Sequence, residues 1–471
     1  MPKRQIYLLS PKELSPETIA VAFAKTSRSP ESFHEITSEL SDESSARFHE
    51  KWVVGYGHAS VAEHAVLHLA IENVSRLAVE SIESNRLASY TEKSTRYQKW
   101  GSQDFVIPPE LEDHPLREVY ISACQALFDA YAQSLPPVRQ LIENQSPMRP
   151  NETEEGYDRR IRSQYVDSCR FLLPAASLAN LGMTANARVL ENAIRKMLSH
   201  PLAEVRQVGE EIKQVAQSET PTLVKYADAL PHLESAYRRF NSHMDPVQPV
   251  GDWCQLVEYD PDGEIRILAA VLYRFGDMAF EAALQKVRTA DVTERTRLAE
   301  DLLGQLSRYD IPLRELEYAS YTFDIVMDQG AYAEFKRHRM MTQTAQALNT
   351  RLGFATPAQM KHAGFEQNYR HTMQGAAVAY EKLAEWNPQV ASYVVPNGYN
   401  RRVLCTMNLR EAYHFCQLRS AANAHYSIRR VALRMAELIQ QVHPLLAKYM
   451  HLPQDESWQT NEDEHFTSCE D

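Results

Sequence analysis

The residues best placed to do chemistry lie in one short run, Glu92-Lys93-Ser94-Thr95-Arg96. A carboxylate, two hydroxyls and a guanidinium form a small polar cradle there. It suits an oxyanion, because arginine offers a planar fork of donors and the hydroxyls add neutral ones. The same composition fits a solvated turn, since loops are commonly polar. A second basic concentration, Lys336-Arg337-His338-Arg339, closes a helical run in the other half of the chain. At ~100° per residue the two arginines of a regular helix point ~200° apart, so they converge on one ligand only where the helix ends or across its tip. The plain alternative is a basic helix C-terminus, favourable to the dipole. Asn186-x-Arg188 and Asn408-x-Arg410 each put an asparagine at a helix cap and an arginine in the first turn. A cation meets no favourable dipole there, so a bound anion would account for it better.

The cradle closes a stretch from Gly57 to Tyr97. Leu67, Leu69 and Ile71 alternate with His68, Ala70 and Glu72, a period of two that predicts a half-buried strand. Ser75 then caps a helix carrying Val79, Ile82 and Arg86 on one face. Upstream, residues 1 to 54 read as mostly helical, with Phe48, Trp52 and Tyr56 at i+4 spacing and Gly55 and Gly57 ending the run. Downstream, Ile107-Pro108-Pro109 opens a helical segment that reaches a polar loop at Asn144-Gln145-Ser146-Pro147. Cys169-Arg170-Phe171-Leu172-Leu173-Pro174 follows, in which Cys169 reads as core and Arg170 could be a surface arginine. Val205, Val208, Ile212 and Val215 then repeat at helical spacing. The turn formers between Met244-Asp245-Pro246 and Asp260-Pro261-Asp262-Gly263 predict a linker over residues 244–263.

The second half repeats the first. Pro174 and Pro396, Asn186 and Asn408, and Arg188 and Arg410 are all 222 residues apart, whereas Arg86 and Arg339 are 253 apart. The first half therefore carries 31 extra residues between these landmarks (253 − 222). The strand recurs as Phe323, Ile325 and Met327, and Asn408 with Glu411 has the spacing of a capping box. Ile428, Val431, Met435, Ile439 and Val442 form the last apolar stripe. The expected organisation is one α+β domain over residues 1–243, a second over 264–451, and an acidic, disordered end over 452–471.

At 471 residues, two domains are the natural expectation. No apolar run approaches the ~20 residues that span a membrane, and Met1-Pro2-Lys3-Arg4-Gln5 lacks the apolar core of a signal peptide. Six cysteines without a CxxC pair point to a reducing cytoplasm, with neither a zinc site nor a disulfide framework. A net charge of −12 argues against a general nucleic-acid binder. It leaves room for a nucleotide held by a few clustered arginines.

Taken in order, Gly57-His58-x-Ser60-x-x-Glu63-His64, the Arg86-to-Tyr97 run, Leu173-Pro174, Asn186-x-Arg188 and Ser199-His200 form a pattern. Arg337-His338-Arg339, Val395-Pro396, Met407-Asn408-Leu409-Arg410 and Leu418-Arg419 continue it. With these motifs the chain resembles the flavin-dependent thymidylate synthases, the ThyX family, over nearly all of both halves. The resemblance implies two tandem copies of a ThyX-like domain, each a mixed sheet flanked by helices. It implies reductive methylation of dUMP to dTMP, with methylenetetrahydrofolate giving the carbon and FAD, reduced by NADPH, giving the hydride. In such enzymes no cysteine attacks the uracil, and the chain has no Pro-Cys nucleophile motif. By position, Glu92, Ser94, Arg96, Arg170 and Arg419 fall to the nucleotide, with Ser94 and Arg96 on its phosphate and Arg170 on its base. His64, Arg337, His338, Arg339, Asn186, Arg188, Asn408 and Arg410 fall to the cofactor, and Arg170, Ser94 and Arg339 to catalysis. His64 reads equally as a satisfied half-buried histidine.

The chain also departs from the pattern. Ser84-Asn85-Arg86 stands for the basic triplet in the first half, and Glu317-Tyr318 stands for Glu-His in the second. The second phosphate loop, Leu348-Asn349-Thr350-Arg351, comes two residues late, at an offset of 255 (351 − 96). Ser392 replaces the arginine kept as Arg170, and the usual glutamine is Ser81 in one half and Glu334 in the other. These losses are complementary, so the retained residues join into one full complement per chain. Since the family's sites lie at subunit interfaces of a tetramer, two tandem chains would form a pseudo-tetramer. Two rivals stay open: a flavoenzyme for another pyrimidine nucleotide, suggested by Ser81 and Glu334, and a catalytically silent nucleotide-binding or assembly protein.

Overall fold

A computed structural model describes residues 5–27, 29–96, 98, 100–240 and 251–467. The chain forms two compact units. Unit 1 holds residues 1–94, 104–118 and 176–246; unit 2 holds 95–103, 119–175 and 247–471. The boundary ignores the repeat, so parts of the first half, including Arg96 and Arg170, belong to unit 2.

Unit 1 is built on a three-stranded sheet, with β3 (Leu178–Asn186) between β1 (Val66–Ser75) and β2 (Ala88–Glu92). As the alternation predicts, Leu67 and Ile71 are buried while His68 and Glu72 are exposed. Between Ile71 and Val74, β1 carries one residue more than the facing stretch of β3. Asn73 takes up that bulge at φ 58°, a left-handed conformation that asparagine tolerates. Ser75 caps the helix Arg76–Ile82, its hydroxyl accepting the Ala78 N–H at 2.9 Å. That helix stops at Ile82, so Arg86 lies beyond its end rather than on its face. Short helices over Pro16–Thr26, Phe33–Ser38 and Asp42–Phe48 precede the sheet, then a wider π-turn over His49–Gly55. There Trp52 stacks on Tyr56 with centroids 5.1 Å apart, and Gly57, at φ 74°, turns the chain toward β1.

Unit 2 carries the sheet β4-β5-β7-β6, comprising β4 (Cys254–Tyr259), β5 (Ser320–Asp328), β6 (Thr342–Ala345) and β7 (Asn400–Asn408). The span expected to be a linker therefore contains a strand, and its turn formers after Tyr259 end that strand. Met244-Asp245-Pro246 lies outside the described residues. Every strand pairing among the described residues is antiparallel, which corrects the expected mixed sheets. In each copy the helix crossover returns the chain in its original direction, but the later strand inserts between the two parallel-running ones. The register repeats as well: Val66 pairs with Asn186, and Ser320 with Asn408. Phe323, Ile325 and Met327 are fully buried against Ile428, Val431, Met435 and Ile439 of the helix Tyr426–Val442.

One buried pair survives in both copies with its roles exchanged. The Ser75 hydroxyl donates to Glu204 at 2.6 Å in unit 1, whereas in unit 2 the Ser427 hydroxyl donates to Asp328. Ser75 and Asp328 both cap the helix after their strand, so a hydroxyl–carboxylate pair is kept although each partner has changed. Within unit 2 the equivalent segments also cross one another. Ala175 donates to the Val395 carbonyl at 2.9 Å, and Asn397 to the Leu173 carbonyl at 3.0 Å.

Over its described residues, which reach Thr467, the acidic end is part of the fold, correcting the expectation of a disordered tail. Ser457 caps the helix Trp458–His465, and the Trp458 indole donates to Glu437 at 2.8 Å. Arg429 pairs with Glu456, Arg430 lies 4.6 Å from the Phe466 ring, and Thr467 donates to the Thr356 carbonyl at 3.0 Å. Phe466 and Trp458, facing Arg430 and Arg434 of one helix, anchor what the charge of the acidic run alone would leave in water. No helix among the described residues is long and apolar enough to cross a membrane.

Candidate functional site

The loop after β2 divides its polar residues. Glu92 turns back to Arg76, Oε1 to Nη1 at 2.7 Å, with only 4% of its side chain exposed. It ties β2 to the helix Arg76–Ile82, which corrects its expected place in the oxyanion cradle. Ser94 is half-buried at the edge of unit 1. Tyr97 lies outside the described residues. Thr95 and Arg96 enter unit 2, where a cluster of charge assembles.

Arg96 grips Asp167 with two nitrogens, Nε to Oδ1 at 2.7 Å and Nη2 to Oδ2, while Nη1 donates to the Asn423 carbonyl at 3.1 Å. Arg170 sits in the tight turn after the helix Glu154–Cys169, one helical turn beyond Asp167. Its Nη1 donates to Thr95 Oγ1 and its Nη2 to Glu334 Oε1, both at 3.2 Å, with Nε 3.6 Å from Asp167. Arg419, the last residue of the helix Leu409–Arg419, donates to Glu334 Oε2 at 2.9 Å and to the Glu334 carbonyl at 3.3 Å. Its Nε donates to His338 Nε2 at 2.9 Å. That bond makes Nε2 the acceptor, so Nδ1 of His338 carries the proton and faces Glu411, 3.4 Å away. The side chain of Glu411 is thus turned to His338 rather than back to the cap of its own helix. Arg96 and Arg170 of the first half and Glu334, His338 and Arg419 of the second meet here within unit 2.

Three guanidinium charges face two carboxylates. Burial pushes Glu334 up, but the charges of Arg170 and Arg419, with further help from Arg96, hold it below the usual carboxylate range. Burial lowers His338, and it lowers the fully buried His425 far more, with Arg170 adding to the effect. Both imidazoles are therefore neutral near pH 7. For a histidine depressed in the folded state, the unfolded chain binds the extra proton. Its stabilisation is present above ~6.5 and is lost as pH falls through that value toward the folded pKa. The melting temperature is thus expected to fall between pH 7.5 and 5.5, less steeply in His425→Gln and His338→Gln. Thermal unfolding across that range checks it, and a flat or rising profile in the parent chain would contradict it.

The repeat identifies counterparts of these residues. Arg419 corresponds to Met197 (419 − 222), which is 2% exposed. Arg170 corresponds to Ser392, whose hydroxyl donates to the Leu348 carbonyl at 2.7 Å. His338 corresponds to Asn85, buried and bonded to the Ile82 carbonyl at 3.0 Å. Only Arg351, the counterpart of Arg96, keeps its charge, and it lies 3.7 Å from Glu381.

Residues 9–222 and 255–445 match the family of thymidylate synthase complementing proteins. The chain belongs to that family. Among similar proteins, a UPF0159 protein of Chlamydia muridarum is 32% identical over 88% of this chain and 82% of its own length. A UPF0159 protein of Thermoplasma acidophilum is 28% identical over 85% of this chain and 87% of its own length. A flavin-dependent thymidylate synthase of Clostridium tetani is 28% identical over 45% of this chain and 82% of its own length. A single-copy relative thus spans about one half of the chain, and relatives of tandem length span nearly all of it.

The residues expected to hold the family's cofactor are arranged differently from one another. Asn186 and Asn408 cap their helices, each accepting a backbone N–H at 2.9 Å. Arg188 pairs with Glu63, and Arg410 with Glu317 at 3.0 Å and the Pro312 carbonyl at 2.9 Å. In both copies the first-turn arginine is paired with one of the protein's own glutamates. The helix Gln329–Phe335 ends before Arg337-His338-Arg339, so the triplet lies in a turn and the helical divergence does not arise. Arg337 is exposed and Arg339 half-buried, but His338 points inward at 5% exposure, against the expectation that it meets a cofactor. His64 packs its ring 4.8 Å from Phe23.

Several members of the cluster carried weak signals or none in the sequence. Asp167 is one helical turn before Arg170, and Thr95 lies between Ser94 and Arg96. Glu334 stood out only as a replaced glutamine. His425, buried and stacked on Tyr426 at 4.1 Å, gave no signal.

Proposed function

We propose that the chain methylates dUMP to dTMP reductively, at one nucleotide site per chain, using FAD, NADPH and methylenetetrahydrofolate. The observation that carries this reading is the meeting of Arg96 and Arg170 with Glu334 and Arg419 in one cluster. The three arginine side chains there keep 10–21% of their surface open to solvent.

Arg96 holds the nucleotide phosphate, with Ser94 beside it in sequence. A guanidinium fork grips a carboxylate and a phosphate in the same two-pronged geometry, so Asp167 marks where two phosphate oxygens would lie. Arg170 and Arg419 face the base, where their donors stabilise the enolate-like charge that its carbonyl oxygen must carry before C5 is nucleophilic enough to bond to the methylene carbon. His338, kept neutral, fixes the Arg419 fork through Nε and acts as a positioning residue. The described cysteines are buried, and burial pushes Cys169, beside Arg170 in sequence, up to about 12, which suits a reaction without a thiolate nucleophile. The methylene carbon arrives one hydride short of a methyl group; a reduced flavin, when bound, would supply that hydride, with the C5 hydrogen lost as a proton and tetrahydrofolate as the leaving group. The donor set fits such a cofactor in part. Each asparagine cap uses only its carbonyl oxygen and keeps its amide donors. Arg188 sits in a solvent-exposed ion pair, worth ~0–1 kcal/mol, that an anion can replace, whereas the Arg410–Glu317 pair is half-buried. His338 is left out of that set.

A second reading, a catalytically silent nucleotide-binding protein, is favoured by one observation: all three arginines already hold internal carboxylates. Tritium release from 5-tritiated dUMP by the FAD-loaded chain, with NADPH and methylenetetrahydrofolate, separates the two. Turnover with one dUMP bound per chain in titration calorimetry is the expected result, in a dimer of tandem chains. Two equivalent nucleotides per chain would overturn the composite site. Protein that binds dUMP but retains no flavin absorbance would favour the silent reading, and flavin binding without a dUMP response would favour another pyrimidine nucleotide.

A further inference from the structure

Glu334 stands where the family's usual glutamine is replaced, and its surroundings give the carboxylate a distinct use. It accepts from Arg170 Nη2 through Oε1 at 3.2 Å and from Arg419 Nη1 through Oε2 at 2.9 Å. Each carboxylate oxygen has a second lone pair, and each guanidinium has five N–H donors. Arg170 spends donors on Thr95 and Glu334 and turns its Nε toward Asp167 at 3.6 Å; Arg419 spends donors on His338 and twice on Glu334. Two N–H groups therefore remain on each. Read in order from Arg170 through Glu334 to Arg419, the cluster offers donor, acceptor, donor.

The pairing edge of uracil presents the complement: the O2 acceptor, the N3–H donor and the O4 acceptor. Cytosine presents O2, a bare N3 lone pair and an amino group. It would set that lone pair against the carboxylate and its amino group against a guanidinium. A glutamine can turn its amide and donate to a bare N3. A carboxylate has no proton to give, so the exchange of glutamine for glutamate removes that tolerance.

We propose that Glu334 is a specificity-determining residue, whose carboxylate, set between Arg170 and Arg419, accepts the N3–H of a uracil-type imide and rejects cytosine. The proposal rests on the nucleotide reading above and adds the residue that enforces base choice. A site built around such a hydrogen bond rejects the mismatched analogue strongly, because buried polar groups are left unpaired.

The test is titration calorimetry of the full-length, FAD-loaded chain with dUMP, dCMP and N3-methyl-dUMP. The parent chain is expected to bind dUMP at least ~100-fold more tightly than either of the others. In Glu334→Gln the ratio of dCMP to dUMP dissociation constants is expected to fall by about tenfold or more, chiefly through tighter dCMP binding. An unchanged ratio, or N3-methyl-dUMP bound as tightly as dUMP by the parent chain, would overturn the role of Glu334 while leaving the nucleotide site intact. Parent chain that binds neither dUMP nor dCMP would overturn the nucleotide reading itself. Should Glu334→Gln fail to fold, the N3-methyl comparison in the parent chain still decides.

Discussion

Arg419→Met is expected to cost turnover a factor of about a hundred or more, with the loss mainly in kcat. Methionine is the residue the repeat carries at the equivalent position, Met197, buried in the corresponding helix of the first half. The variant thus gives this position the residue of its counterpart in the repeat, where methionine is already accommodated near a helix end. Arg419 donates to both Glu334 and His338. Without its fork the base loses a donor whose worth grows as charge develops on the carbonyl oxygen, and kcat reports such interactions. Arg419→Lys keeps the charge but not the fork, and should recover only a small part of the rate. Tritium-release kinetics with dUMP would check this. A methionine variant within about threefold of the parent kcat would remove Arg419 from the chemistry.

Arg96→Ala should act twice, on stability and on nucleotide binding. Asp167 has 9% of its side chain exposed, and Arg96 supplies two of its hydrogen bonds. Removing one partner of such a pair costs up to ~3–5 kcal/mol, and Arg170, 3.6 Å from Asp167, offsets only part of it. The nucleotide loses a charge-assisted phosphate contact worth ~1.5–3 kcal/mol, which weakens dUMP at least about tenfold and flavin far less. A paired replacement separates the two effects. Arg96→Met with Asp167→Leu removes both charges, so stability should return while dUMP affinity stays low. Thermal unfolding gives the first quantity and titration calorimetry the second. Equal weakening of dUMP and flavin, or recovery of dUMP affinity in the double variant, would show that Arg96 does not hold the phosphate.

Local features and the repeat were legible without the fold. Alternation in Leu67 to Glu72, the caps at Ser75, Asn186 and Asn408, and the offsets of 222 and 253 residues depend on nearest neighbours and on chain order alone. So does the complementary loss of residues between copies. Which charges meet was not legible, because ion pairing depends on distances between residues remote in sequence. Arg96 finds Asp167 across 71 residues, Arg419 finds Glu334 across 85, and Arg170 finds Glu334 across 164. The same holds for Arg188 with Glu63 and Arg410 with Glu317. The acidic end misled for a related reason: its summed charge hides Trp458 and Phe466, and only packing against Arg430 and Arg434 fixes them. The sequence determined which residues each copy retained; the tertiary structure alone decided that Asp167 and Glu334 neutralise the arginines, because a buried charge takes whichever partner the fold brings within reach.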